Sequence, residues 1–300
     1  MRDVGADWDF ADVRDHYLDV LHTTAAGPLR ADEHDRYVAL SRAVSGELMA
    51  CVLGEWRRAA SPCAGAIILW LRDLAPGSGW GVLDHTGAPK LALAHLRRAL
   101  APQAVWITDE GLNGLDVHIA NDGPEPLRAT LHVALLAGGA HVVAEGEQAL
   151  DVAPHTTLAR NAEAVLGRFA DTSYAYRFGP PQHDTVVATL RDADGLVGQA
   201  CHFPTGRPST PVDDLGLTAT LRQGPADPSR RVHVVVTAER VAYGVRVRAP
   251  GFRPDDDGFV VVPGTPRTVR LRPRADAEFG GATVTALNLT GERAVGRAGD

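Results

Sequence analysis

The first hundred residues place hydrophobic side chains at helical spacing on both sides of one short apolar run. A spacing of three to four residues predicts helices over 10–21, about 32–58 and 89–100. A loop is expected at 27–28, between the first two helices, because it contains Gly-Pro. The run 66–71 is nearly free of polar residues, which is typical of a parallel strand covered on both faces.

Helix, helix, buried strand, loop and helix is the order found at the end of a (β/α)8 barrel. A complete barrel needs about 250 residues, and the predicted strand begins at residue 66. Residues 1–101 are therefore interpreted as the C-terminal part of a barrel, mainly helical, and the chain as the tail of something larger.

Beyond residue 101 the pattern changes from helical spacing to alternation, and short strands separated by turn residues dominate. Two antiparallel, immunoglobulin-like β-sandwiches are predicted, over 102–205 and 206–300, with a Pro-, Gly-, Ser- and Thr-rich linker at 204–211. The fold class is multi-domain α+β. The predicted strands lie at 115–119, 127–135, 185–190, 215–221, 232–237, 243–247, 259–262, 268–271 and 284–289.

Composition narrows the classes of partner. The net charge of −7 argues against a non-specific nucleic-acid binder, and the apolar runs fall short of the roughly 20 residues of a membrane span. The acidic start lacks the apolar segment of a signal peptide, so, if Met1 is the native start, a cytoplasmic location is expected. Cys51, Cys63 and Cys201 are widely spaced, which favours buried free thiols in a reducing compartment.

Three longer segments carry a resemblance to a known family. Residues 166–181 (LGRFADTSYAYRFGPP), 249–264 (APGFRPDDDGFVVVPG) and 286–288 (ALN) resemble the sandwich domains of the β-mannosidase-like members of glycoside hydrolase family 2. The resemblance covers essentially the whole chain. It implies the end of a sugar-cleaving barrel followed by two sandwiches, from a retaining enzyme that releases terminal β-linked mannose.

The catalytic residues that the resemblance implies are not found in this chain. A retaining glycosidase needs two carboxyl groups about 5–5.5 Å apart, and the family carries them in an Asn-Glu pair and a Ser-Glu-Phe/Tyr-Gly motif. Neither motif occurs here. Ser45-Gly46-Glu47 resembles a fragment of the second motif, but it lies within a predicted helix. No catalytic residue is assigned, and the chain alone is expected to be inactive.

Four residues at the end of the predicted strand and in the following loop are candidates for substrate binding: Trp70, Arg72, Asp73 and Trp80. Indole rings stack on pyranose faces, charged groups hold sugar hydroxyls, and barrel enzymes place their sites on this face. The structural alternative is that Trp80 packs the loop and Arg72 pairs with Asp73. The chain departs from its relatives in having Leu69 where they carry a tryptophan, and Ala75 where many carry another.

No cofactor or metal is expected. The twelve histidines show no spacing typical of a metal site, and surface strand positions such as His118 and His132 account for most of them. Asp255-Asp256-Asp257 lacks the spaced ligands of a calcium loop and is interpreted as a solvated turn.

Two other functions remain open. The sandwiches could form a non-catalytic module that binds carbohydrate or a partner protein. Alternatively, a separate polypeptide could supply the missing barrel part, because a strand with a few helices leaves apolar faces uncovered. In either case residues 1–101 are expected to be the least stable part of the chain.

Overall fold

The structure is a computed structural model that describes residues 9–77, 79–222, 232–274 and 277–297. The chain forms two compact units, one built from Met1–Ser45 with Gly206–Asp300 and the other from Gly46–Thr205. They are called here the terminal unit and the central unit. The domain boundaries at 101 and 205 remain predictions.

The first hundred residues contain the helices α1 (Phe10–His22), α2 (Ala26–Asp32), α3 (His34–Trp56) and α4 (Leu91–Ala99). Of these, α1, α3 and α4 lie within about two residues of the predicted ranges, and α2 is not among the predicted helices. Asp9 caps α1, since its carboxylate accepts hydrogen bonds from the backbone amides of Ala11 and Asp12. The loop predicted at 27–28 is wrong: both residues lie in α2, because a proline in the first helical turn removes only an amide that has no intrahelical partner.

The third helix is long and apolar enough to cross a membrane by length and composition alone. This differs from the expectation that no segment approaches such a span. Leu40 and Val44 are buried in the terminal unit and Leu53 in the central unit. A core helix of a globular protein passes the same test, and these buried positions fit that interpretation.

The strand predicted at 66–71 is not formed. Residues 66–69 have no regular structure, and the side chains of Ile67, Leu69 and Leu71 are 95%, 71% and 71% exposed. A parallel strand exists only when neighbouring strands accept its backbone hydrogen bonds, and the described part of this chain contributes none to residues 66–69. The region is therefore helical with an exposed apolar segment, and a barrel remnant is not evident in it.

The central unit contains the first β-sandwich. Its strands are β1 (Gln103–Asp109), β2 (Leu115–Asn121), β3 (Leu127–Ala137), β4 (His141–Val152), β5 (Thr156–Asn161), β6 (Thr185–Asp192) and β7 (Gly195–His202), and α5 (Ala162–Leu166) follows β5. Two antiparallel sheets form, with orders β1-β2-β5 and β4-β3-β6-β7. The alternating apolar positions meet in one core, in which Val117, Leu131 and Leu190 are fully buried. The predicted sandwich is confirmed here.

The terminal unit contains the second sandwich. Its strands are β8 (Thr218–Arg222), β9 (Val232–Thr237), β10 (Ala242–Arg248), β11 (Phe252–Pro254), β12 (Phe259–Val261), β13 (Arg267–Pro273), β14 (Thr283–Thr285), β15 (Arg293–Ala294) and β16 (Gly296–Arg297). The sheet orders are β11-β13-β9-β8-β16 and β12-β10-β14-β15. Phe259, Val234 and Leu271 lie in its core.

The three cysteines are not joined in a disulfide, as expected, but their predicted burial is wrong. Cys51 and Cys63 are exposed, and Cys201 is half-buried. Cys51 lies on a face of α3 that faces solvent, because the second half of this helix packs through Leu53 against Val82 and Leu96 instead.

Candidate functional site

The candidate sugar-binding residues lie in a loop between the exposed apolar segment and α4. Backbone bonds close this loop: the amides of Val82 and Leu83 donate to the carbonyls of Trp70 and Leu71 over 3.2 and 2.9 Å. The amide of Asp73 donates to the carbonyl of Leu83 over 3.0 Å. Residues 70–73 and 81–83 therefore form the fixed base of the loop.

Asp73 is buried at the centre of this base. Its Oδ1 accepts a hydrogen bond from the amide of Gly81 over 2.7 Å, and its Oδ2 forms an ion pair with Lys90. The Lys90 ammonium also donates to the carbonyl of Gly79 over 3.0 Å. The hydrogen bond from Lys90, followed by that from Gly81, lowers the pKa of the Asp73 carboxyl.

The glycines on either side of Trp80 are required by this packing. A Cβ on Gly79 would lie 2.5 Å from Oδ1 of Asp73, and one on Gly81 would lie 2.5 Å from the backbone nitrogen of Asp73. Both positions are too close for a side chain. Asp73 thus fixes the backbone that carries Trp80.

The other candidate residues are more exposed than Asp73. Trp70 and Trp80 are 48% and 59% exposed. About half of each side chain is therefore accessible to a ligand. The Arg72 guanidinium donates to the carbonyl of His85, over 3.1 Å from its Nε. The Arg72–Asp73 pair considered as the structural alternative is not formed, because Lys90 takes the place of the arginine.

The tip of the loop is fixed by a second carboxylate, Asp84. Its Oδ1 accepts hydrogen bonds from the hydroxyl of Thr86 over 2.6 Å and from the amides of Ala88 and Thr86. These bonds, that from the Thr86 hydroxyl first, lower the pKa of the Asp84 carboxyl to about 2. The Asp84 carboxylate therefore stays charged across the physiological pH range.

Glu47 lies in the middle of α3, as expected from the helical spacing. A carboxylate on a helix interior position does not reproduce the loop motif that it resembles. The structure gives no reason to assign it a catalytic role.

A polar cluster that the sequence analysis did not assign lies on the outer face of β1 and β2. Glu110, Asp116 and His118 place ligand-type atoms within 4.8 Å of one another. The Thr108 hydroxyl donates to Glu110 over 2.6 Å, and the Arg58 guanidinium donates to the same carboxylate over 2.8 Å. Because a cation already neutralises Glu110, the cluster is best described as the network that docks the end of α3 on this sheet.

His118 corrects an expectation, since it is buried rather than at the surface. Its Nε2 lies 2.8 Å from the Thr108 hydroxyl, and its ring stacks on Trp106 with 5.2 Å between centroids. Burial, followed by the charge of Arg58, lowers the pKa of this imidazole. In the sequence, Asp116 and His118 are two residues apart and so lie on the same face of β2. The sequence does not show that the end of α3 covers this face.

No protein-family model matches the chain. Over 82 residues, which are 26% of this chain and 10% of the relative, it is 28% identical to β-mannosidase B of Thermothelomyces thermophilus. The resemblance predicted from the sequence, to the C-terminal portion of glycoside hydrolase family 2 enzymes, is confirmed.

Two solved structures share the fold. The β-D-mannosidase of Dictyoglomus thermophilum matches 92% of this chain with a TM-score of 0.73 at 15% identity. The exo-chitosanase CsxA of Amycolatopsis orientalis matches 86% with a TM-score of 0.63 at 14% identity. The chain spans 32% and 34% of these two proteins, respectively. Identities this low establish the shared fold, not a shared activity.

Proposed function

We propose that this chain is the C-terminal part of a β-mannosidase-type glycoside hydrolase, which removes terminal β-linked mannose when complete. The observation that carries the proposal is the exposed segment 67–71, which contains Trp70 and leads directly into the ordered loop that carries Trp80. Exposing the side chains of Ile67, Leu69 and Leu71 to water is costly. A barrel that covered this segment would remove that cost.

In this proposal the chain supplies substrate-binding groups and no catalytic carboxylate. The rings of Trp70 and Trp80 stack on the apolar face of the sugar, and the exposed Arg72 holds a hydroxyl. Asp73 and Lys90 do not touch the sugar: they bond to each other and to the backbone around Trp80, so they position the loop. The acid/base and the nucleophile come from the remainder of the enzyme, with no cofactor.

The test is reconstitution. The chain is assayed alone and after co-expression with the polypeptide encoded immediately upstream of the Met1 codon, using p-nitrophenyl β-mannoside as substrate and the α-anomer as control. We expect no turnover by the chain alone and β-specific turnover by the complex. Turnover by the chain alone would contradict the missing carboxylates.

The alternative function, a stand-alone carbohydrate-binding module, gives a different result in the same experiment. It requires the chain alone to bind β-1,4-mannohexaose, measured by calorimetry, with no gain of activity on co-expression. Trp70→Ala distinguishes the two cases further, because a sugar site on the sandwiches would not be affected by this loop residue.

A further inference from the structure

A long connection in the central unit presents aromatic rings to solvent. It joins α5 to β6 and spans residues 167–184; it is called here the aromatic loop. Loops longer than about 12–15 residues without regular structure are uncommon in compact domains and are usually either functional or disordered.

The aromatic loop is held in one conformation by its own polar groups. The Asp171 carboxylate accepts hydrogen bonds from the amides of Ala175 and Tyr176 over 2.8 and 3.0 Å. The Tyr174 hydroxyl donates to the carbonyl of Gly179 over 2.9 Å, and the Ser173 hydroxyl donates to the carbonyl of Gly111 over 2.9 Å. The loop is therefore a fixed surface of the sandwich.

Its backbone conformation is costly. Tyr174 and Arg177 adopt positive φ angles of 56° and 53°, a region that costs a non-glycine residue about 1–2 kcal/mol. Backbone strain of this kind persists where surrounding contacts over-determine it, often at functional surfaces.

The rings on this loop are exposed and grouped. Phe169 and Phe178 are 70% and 87% exposed, and Tyr176 lies between them with ring centroids 5.9 Å from each. The Tyr176 hydroxyl donates to the carbonyl of Leu112, whose side chain is 67% exposed. Aromatic side chains grouped in this way are enriched at the centres of protein–protein interfaces.

The polar groups favour a polypeptide over a sugar as the occupant. A sugar site needs donors and acceptors directed at hydroxyl groups beside the aromatic platform. Here the hydroxyls of Tyr174 and Tyr176 and the Asp171 carboxylate bond to the loop and its neighbours, and Arg168 donates to the carbonyl of Val143. Besides Arg168, the exposed side chains of Arg177 and Gln182 are the polar exceptions within 167–184, and the rings of Phe169 and Phe178 make the rest of the outward surface largely apolar. The chain also spans only about a third of the proteins that share its fold.

We propose that Phe169, Tyr176 and Phe178 form a docking surface for the catalytic polypeptide, the part that corresponds to the remainder of those proteins. This inference rests on the proposed function and adds a second contact, separate in sequence from the segment 67–71. It assigns the aromatic loop to assembly and not to substrate binding.

The experiment uses the polypeptide encoded upstream of Met1 as the probe. Its affinity for the purified chain is measured by calorimetry, and protection of residues 169–178 is measured by hydrogen exchange. The variant F169S/F178S removes the two most exposed rings and leaves the buried anchors of the loop intact. Arg248→Ser, a substitution at an exposed position of β10 in the second sandwich, is the control, because it lies outside both proposed contacts.

We expect F169S/F178S to raise the dissociation constant at least about tenfold, with an unchanged melting temperature of the isolated chain, and Arg248→Ser to have no effect. Complex formation and β-mannosidase activity with no loss of affinity in F169S/F178S would overturn the docking surface and leave the proposed function standing. An upstream polypeptide that does not bind, or the absence of one, would overturn both. Protection of 169–178 by mannohexaose and not by the polypeptide would replace docking with sugar binding.

Discussion

Lys90, the only lysine of the chain, forms an ion pair with the buried carboxylate of Asp73. The pair joins the N-cap residue of α4 to the base of the candidate site. The Lys90 ammonium also donates a hydrogen bond to the backbone carbonyl of Gly79, next to Trp80. The loop that carries the aromatic candidates is thus built around one charged contact.

Replacing Lys90 by Met is expected to destabilise the central unit, because it leaves the Asp73 carboxylate buried without its cation. For a unit of this size each kcal/mol lost corresponds to about 2–4 °C in melting temperature, so a decrease of several degrees is expected at pH 7. Arg72→Met is the control, since that guanidinium lies on the exposed side of the loop.

The same variant has a defined pH signature. The pKa of Asp73 is lowered from its ordinary value of 3.8, so its pairing stabilises the folded state fully above that value and loses its effect as the pH falls below it. Melting curves of the wild type and Lys90→Met should differ at neutral pH and converge below pH 3.8. A constant difference at all pH values would contradict the ion pair as the cause.

Trp70→Ala and Trp80→Ala should separate binding from stability. Both rings are about half exposed, so we expect melting temperatures of the isolated chain to change by no more than about 1 °C. In the reconstituted enzyme each variant should lower kcat/KM for the β-mannoside at least about tenfold. Trp56→Ala, at a 44% exposed ring near the end of α3, is the control. Equal losses in all three variants would exclude a specific sugar contact.

His22 predicts acid sensitivity of the terminal unit. The imidazole is 3% exposed, and both ring nitrogens lack a hydrogen-bond partner among the residues that the structure describes. The ring packs against Tyr243 with 6.0 Å between centroids. Burial, followed by the charges of Arg207 and Arg36, lowers its pKa from 6.5 to about 4. The unfolded chain therefore binds the proton first, and stability decreases as the pH falls from 6.5 towards 4.

The expected loss is about 3 kcal/mol, at 1.36 kcal/mol for each pKa unit. Urea unfolding of the wild type at pH 7 and pH 4 measures it, and His22→Phe should reduce the difference between the two values. His34→Gln, at an exposed position of α3, is the control. If His22→Phe kept the full acid sensitivity, another group would be responsible.

Asn121 anchors the turn after β2. It is fully buried, its Nδ2 donates to the carbonyls of Glu125 and Val152 over 2.8 and 3.1 Å, and its Oδ1 accepts from the amide of Gly123. Asn121→Ala leaves these backbone groups without a partner, and we expect the free energy of unfolding to fall by about 2–4 kcal/mol. The exposed Asn113, replaced by Ala, should change it by less than about 0.5 kcal/mol.

The sequence by itself determined the elements whose signal is local. The helical spacing of α1 and α3 and the alternation along β2 and β3 each repeat within a few residues, and the structure has these elements where they were predicted. The two sandwiches follow from the same alternation, since each strand must bury its apolar face. The resemblance of residues 166–181 and 249–264 to family 2 sandwiches is likewise evident from the sequence alone.

Only the tertiary structure decided features that depend on distant partners. The segment 66–71 reads as a strand, yet a strand forms only beside neighbours, and the described residues supply none to residues 66–69. Lys90 rather than Arg72 pairs with Asp73 because the loop turns back on itself. His118 is buried on the face of the sheet where Arg58, which follows α3, bonds to Glu110. Strand pairing, ion pairing and burial depend on contacts between residues that are distant in sequence. Local periodicity does not identify which residues make those contacts.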